Sequence, residues 1–487
     1  MKEIFLIAIP WLAAGAAFVW RGERTRPWLL PVAGGLHAAL SLWLLVNPPV
    51  LAAGAWFGFD PVARAVLPMI SLLFFVCSIY AVAYLKVRAE RRNRLFVFAL
   101  LILLGFLSLA VQAQHLGLLW VAAEAATLMT VPLIHFNGTA RAFEASWKYL
   151  LVGGTGIALS LLGSFCLGYA SLNAGGNGDL TFSALAGQFV HLDVEVARQS
   201  HPWLIAAWVL LLAGYGTKMG LAPMHTWKPD VYGEAPGIVG ALLAGGMTTM
   251  AFVAVLRVKQ VVDAAGDSDM TQRTLLAFGL FSMLGAALFL LSTPDFKRML
   301  AYSSVEHMGI LAVGAALGGL GVWAALFHVW TNSLTKGALF LSAGNIRRAA
   351  NARNENEVSG MAWCAPLSAR MFIAGLFAIT ACPPFGPFFS ELRILRAAFT
   401  TGSTFTAVAF LGCLLFAFFG LTRLVFAIVD GRPRAAVRAV GNRFRETAGV
   451  ILPPLAFLGF SAWLGIATPS VLSETWSAAV KVLFPAP

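Results

Sequence analysis

Residues 115–134 read HLGLLWVAAEAATLMTVPLI, twenty residues whose single charged side chain, Glu124, stands near the middle. A helix needs about 20 consecutive, mostly apolar residues to cross a bilayer. Working outward from this run, comparable stretches lie at about 4–20, 28–46, 66–85, 95–111, 147–170, 203–224, 236–256, 274–292, 298–317, 320–343, 366–390, 403–428 and 449–468. They fit the composition: of 487 residues 59% are hydrophobic and 11% charged, with a mean hydropathy of +0.79. A soluble domain is about 45–50% apolar and about 25% charged, so the charges here are too few to cover a surface facing water. Only helices and closed barrels satisfy every backbone group in lipid, and the runs lack the alternation of barrel strands. The expected fold is all-α, a polytopic membrane protein of about fourteen transmembrane helices.

The same arithmetic excludes other classes. A net charge of +12 suggests nucleic acid only where the bases cluster on a solvated face, and here they sit in short loops between apolar runs. The five cysteines all lie in apolar runs without a CxxC pair, which speaks against a disulfide framework or a metal cluster. GYGTKMG (214–220) misses the dinucleotide fingerprint by one residue and lies inside a span, and no nucleophile–base set suggests hydrolysis. The Asn137-Gly138-Thr139 glycosylation pattern falls on the side expected to be cytoplasmic. The run from Ile4 to Trp20 lacks a clear cleavage site and is taken as a retained first span.

Orientation follows from the loops. Of 34 Lys and Arg, 21 lie in or beside the loops after the odd-numbered spans, notably Lys86–Arg94, Arg347–Arg353 and Arg432–Arg445. The positive-inside bias puts these in the cytoplasm and both termini outside, in what is expected to be a bacterial inner membrane.

A charge near the bilayer centre costs about 2.5–3.5 kcal/mol on insertion scales, so each one inside a span is a functional candidate. Five stand out: Glu124, Lys218 in WVLLLAGYGTKMGLAPMHTW, His307, Lys336 and Glu391. His225, Thr248, Thr249 and His328 are supporting candidates. Arg370 and Arg423, near span ends, read as snorkelling. The bland alternative is ion pairing that only orients helices. The chemistry favours protons: a carboxylate moving toward or away from a buried lysine changes that lysine's hold on its proton, and histidine passes protons between neighbours near neutral pH. A metal or anion filter would instead need a ring of like groups, and none repeats that way.

Two spans are broken beside these charges. Gly220, Pro223 and Pro229 follow Lys218, and Pro383, Pro384, Gly386 and Pro387 precede Glu391. Interior prolines free carbonyls that a membrane tolerates only beside protein or a wet cavity. The breaks lie five spans apart, and an odd offset reverses orientation. Spans 4–8 (95–256) and 9–13 (274–428) therefore read as inverted five-helix repeats, between three N-terminal helices (1–94) and a last helix (449–468). Ordinary proline kinks remain the alternative.

KMGLAPMHTWKPDVYGEAPGIVGALLAGG (218–246) resembles the seventh-to-eighth-helix signature of the antiporter-like subunits shared by respiratory complex I, Mrp-type cation/proton antiporters and energy-converting membrane hydrogenases. FKRMLAYSSVEHMGI (296–310) and FGPFFSEL (385–392) support the resemblance. EASWKYLLVGGTGIALSLLG (144–163) and NSLTKGALFLSAGNI (332–346) look most like the component F type of hydrogenase-4. The resemblance implies a proton-translocating subunit without a redox centre or metal of its own. Its partners would be other membrane subunits and a peripheral arm carrying NiFe and iron–sulfur centres or using quinone. Glu124 would modulate Lys218, His307 would connect the two halves, and Lys336 with Glu391 would form the exit. Thr249 stands where many complex I-type members have a lysine, so the relay there would need water or the Thr248 and Thr249 hydroxyls. The chain ends soon after span 14, which implies that it lacks the long lateral helix of the distal complex I subunit. The same scaffold also serves Mrp-type Na⁺/H⁺ antiport and membrane partners of inorganic-carbon uptake systems.

Overall fold

The computed structural model describes residues 2–52, 54–190, 194–354, 357–433 and 444–484, with the side chains of 194–197 left aside. The middle of the Arg432–Arg445 cluster therefore lies outside the described residues. Secondary structure among them is helical, with three isolated β-bridges and no strand. The α-helices are α1 (Phe5–Val19), α2 (Leu29–Val46), α3 (Pro61–Val87), α4 (Arg94–Gln112), α5 (Leu116–Ile134), α6 (Ala140–Asn173), α7 (Phe182–Phe189), α8 (Val194–Met219), α9 (Trp227–Glu234), α10 (Gly237–Leu242), α11 (Thr248–Ala264), α12 (Ser268–Ser292), α13 (Phe296–Ala316), α14 (Gly319–Ala350), α15 (Met361–Cys364), α16 (Pro366–Ile379), α17 (Gly386–Thr400), α18 (Thr404–Val429), α19 (Ala448–Ile466) and α20 (Ser470–Leu483).

Ten helices among the described residues are long and apolar enough to cross a membrane. The predicted runs at 203–224, 298–317, 320–343 and 366–390 fall on helices outside that set, and α13 and α14 carry the buried polar residues that lower their hydropathy. Several helix ends shift by a few residues from the reading of the sequence, as where α6 starts at Ala140 and α14 runs on to Ala350, and two runs differ in kind. The run at 203–224 stops being helical at Met219, and the run at 366–390 is two helices, the second of which continues to Thr400. Short α7 and α9 and the C-terminal α20 were not anticipated.

Helix starts follow local chemistry. Asp60, Thr139 and Asp295 accept hydrogen bonds from the first-turn amides of α3, α6 and α13, which otherwise lack partners. The helical stretch Gly237–Ala264, joined by a π-turn at Leu243–Met247, is buried on all sides, as expected of a helix apolar all round. α13 and α14 are buried along most of their length beside it. Large apolar side chains on α1, α2, α6 and α18, such as Leu12, Leu36, Leu162 and Phe405, point outward instead. This inversion of a soluble protein puts polar groups at the centre and leaves apolar faces for lipid.

Small residues set the closest helix pair. A Cβ at Gly214 of α8 would collide with backbone of Gly156 and Ser160 of α6, and one at Gly163 would lie 2.8 Å from the Leu211 side chain. Without a hydrophobic drive between helices in lipid, such backbone approach supplies the packing. Gly214→Leu should therefore destabilise the fold by at least about 1–3 kcal/mol. Gly412→Leu, on α18 with open space around it, should be neutral. Comparing the recovery of monodisperse protein and its melting temperature for the two variants checks this.

A buried line of charged side chains

The break after α8 is held by side chains from around it. Gly220, at φ +81°, turns the chain, and its amide and that of Leu221 return to the Gly216 carbonyl at 2.7 and 2.9 Å. The Trp227 indole donates to the Thr217 carbonyl at 2.9 Å, and the Ala222 amide donates to Ser282 Oγ at 2.8 Å. The freed backbone groups are thus answered by protein. The second break is covered in the same way: the Cys382 amide reaches the Phe377 carbonyl at 2.9 Å, and α19 presses on the turn so closely that a Cβ at Gly465 would overlap the Pro384 carbonyl. Pro223, Pro383 and Pro384 lie in these turns, and Pro387 opens α17 in the first turn, where its missing N–H is no loss.

Lys218, in the last turn of α8, is 1% exposed and 3.3 Å from the Glu124 carboxylate of α5. It also donates to the Thr127 hydroxyl one turn along α5. Lys228 on α9 is fully buried, its stem lying where a Gly220 Cβ would be and its ammonium 3.3 Å from Ser304 Oγ of α13. Lys336 of α14 donates to the Leu300 carbonyl at 3.3 Å and lies within Coulombic reach of Lys228, Glu306, His307 and His328. Glu306 is buried, and its Oε2 has no hydrogen-bond partner.

Beyond Lys336 the groups form a hydrogen-bonded chain. His307 Nδ1 and His328 Nε2 are 2.9 Å apart with their rings stacked, and His328 Nδ1 meets Ser390 Oγ at 2.8 Å. Glu391 Oε1 lies 4.0 Å from His307 Nδ1 and is otherwise without a partner. A lone imidazole proton bonds the two rings, because of the facing nitrogens one must donate and the other accept.

The family match decides what this arrangement belongs to. The NADH:quinone oxidoreductase/Mrp antiporter transmembrane family matches residues 113–416. A hydrogenase-4 component F homolog of Methylacidiphilum infernorum is 31% identical over 451 residues, covering 88% of this chain and 92% of its own. This chain belongs to that family of antiporter-like membrane subunits. NADH-quinone oxidoreductase subunit N of Desulforudis audaxviator is 30% identical, covering 97% of this chain and 91% of the relative. A chain of the archaeal membrane-bound sulfane sulfur reductase shares the fold at a TM-score of 0.86 and 22% identity, covering 99% of this chain and 97% of that one.

In this antiporter-like subunit the predicted residues separate into groups. Glu124 meets Lys218, while His307, His328 and Glu391 cluster on α13, α14 and α17. Glu391 stands beside His307, whereas Lys336 bonds a backbone carbonyl. Donor atoms of His307, His328 and Glu391 all lie within 4.8 Å of one another, a grouping invisible in the sequence spacing. Of the supporting residues, Thr248 donates to the Ala244 carbonyl of its own helix, Thr249 is buried, and His225 packs near Phe289 and Tyr302.

Two residues of the line escaped the sequence reading. Lys228 follows the run 203–224, where a charge reads as one of the loop charges that set topology, yet the helix break folds it inward. Glu306 lies inside the run 298–317, where the cost of a buried charge that singles out Glu124 applies equally.

Gly220→Ala should disturb the line because it both strains a left-handed backbone and displaces the Lys228 stem. Trp227→Phe leaves the Thr217 carbonyl without its indole donor and should cost about 1–3 kcal/mol. Both should lower the melting temperature of the purified subunit, and an unchanged Trp227→Phe protein would show that the break does not need this cap.

Proposed function

We propose that this chain is the proton-translocating membrane subunit of a multisubunit energy-converting hydrogenase or complex I-like oxidoreductase. The observation that carries the reading is the burial of Lys218, Lys228, Lys336, Glu306, His307, His328 and Glu391 on α8, α9, α13, α14 and α17, with the half-buried Glu124 of α5 beside Lys218. Charges that only oriented helices would be matched in pairs, whereas Lys228, bonded to the Ser304 hydroxyl, has the Lys336 ammonium as its charged neighbour, and Glu306 is the carboxylate near Lys336. Protonating one of two neighbouring lysines disfavours protonating the other, so a proton arriving at one end can drive one off further along. Glu124 stabilises the charged form of Lys218, and its withdrawal would release that proton toward Lys228. Water is needed where no direct hydrogen bond bridges the groups.

In this reading the chain crosses a bacterial inner membrane about fourteen times as two inverted five-helix repeats, with both termini outside, and the two broken helices hold equivalent places in the repeats. It performs no redox chemistry itself. The peripheral partners, on the likeness to hydrogenase-4 component F, carry the nickel–iron and iron–sulfur centres or reduce quinone. The family also includes Mrp antiporters, and the same scaffold would serve Na⁺/H⁺ antiport or an inorganic-carbon uptake partner. The line interleaves its three carboxylates with three lysines and two histidines, a set suited to handing protons on rather than to the shell of several oxygens that a hard cation wants.

Lys218→Met and Lys336→Met should each lower coupled proton pumping by at least about tenfold in an assembled complex, with assembly intact. Full pumping in either variant would remove that lysine from the path. Sodium-dependent flux without a hydrogenase partner would favour the antiporter reading.

A further inference from the structure

At the basic end of the bundle, between the ends of α3 and α14 and the start of α13, lies a cavity of about 360 Å³. Six cationic side chains line it: Arg88, Arg91, Lys297, Arg347, Arg348 and Arg353. One carboxylate, Glu234, faces them and is already engaged, held by both terminal nitrogens of Arg353 and 3.9 Å from Arg347. Arg88 pairs 3.2 Å away with the exposed Glu90. The others have neutral partners: Arg91 donates to the Phe136 carbonyl at 3.1 Å, Lys297 to the Gly233 and Ala235 carbonyls, and Arg348 lies over the rings of Tyr84 and Phe444. Two donors, Nε of Arg88 and Nη1 of Arg348, are buried with no acceptor at all. A partly open excess of positive charge with orphaned guanidinium N–H groups suits an anion with several oxygens.

We propose that this cavity binds the phosphate of an anionic phospholipid. Guanidinium forks match phosphate oxygens two at a time, and basic pockets between transmembrane helices at this end are where anionic headgroups bind. Exposed apolar side chains close in sequence to the lining arginines favour a lipid over a free anion. Val87, next to Arg88, and Leu95, four residues after Arg91, are more than half exposed and offer apolar surface to acyl chains. The site is separate from the proton line and stands whether or not that line conducts.

The test uses the full chain, purified and delipidated, titrated with cardiolipin, phosphatidylcholine or inorganic phosphate and read by native mass spectrometry. Cardiolipin should bind the parent, and phosphatidylcholine, whose headgroup carries no net charge, should bind at least about tenfold more weakly. Arg91→Gln with Arg348→Gln should weaken cardiolipin binding at least about tenfold, and the corresponding double lysine variant less, because the charge stays while the fork is lost. Arg273→Gln, exposed at the opposite end of α12, should leave binding unchanged. If the double variant does not fold, Arg91→Gln alone is measured, with the same direction expected. Unchanged cardiolipin affinity in these variants would overturn the proposal. Inorganic phosphate displacing cardiolipin at equal concentration would overturn the lipid assignment in favour of a free anion, and no binding of any phosphate would overturn the proposal outright.

Discussion

Desolvation of charge is the constraint on which this structure depends. Lys218, Lys228 and Lys336 are buried within a bundle whose outer faces are apolar, and none could be held there without neighbours that offer oxygen. Glu124 and Thr127 answer Lys218, Ser304 answers Lys228, and the Leu300 carbonyl with nearby Glu306 answers Lys336. The all-round burial of the Gly237–Ala264 stretch and the depth of α13 and α14 follow from the same need, since a second layer of helices must separate such groups from lipid.

The helix breaks are the other half of that arrangement. A continuous helix beyond Met219 could not fold Lys228 back against Gly220, and α17 starts afresh at Gly386 to present Ser390 and Glu391 to the paired histidines. Each break exposes carbonyls, and each is closed by protein: an indole over Thr217, and the tight approach of Gly465 over Pro384. Interrupted backbone at this depth is therefore compatible with a stable membrane protein.

Much of this was legible in the sequence because the bilayer makes exceptions conspicuous. An acid in the middle of LLWVAAEAATLM or a lysine in GYGTKMG has no ordinary explanation, and prolines beside such charges mark the irregular backbone. What escaped depended on the fold in three dimensions. Lys228 follows two glycine or proline signals and looks like loop; only the direction of the turn at Gly220 takes it inside. The pairing of His307 with His328 joins residues on separate helices, and no spacing rule connects α13 to α14. The basic cavity is scattered likewise, its arginines coming from segments more than 200 residues apart in the chain.

α14 differs from the interrupted helices in one way that bears on motion. It runs unbroken through 32 residues, carrying His328 and Lys336 in its middle and Arg347 and Arg348 in its last turn. A helix rises about 1.5 Å per residue and resists stretching, so Lys336 and Arg347 stay about 16 Å apart along one stiff rod. Displacing the arginine end along the helix axis would therefore carry the histidine and lysine with it, whereas Lys218 and Lys228 stand on separate helices joined by the turn after Met219.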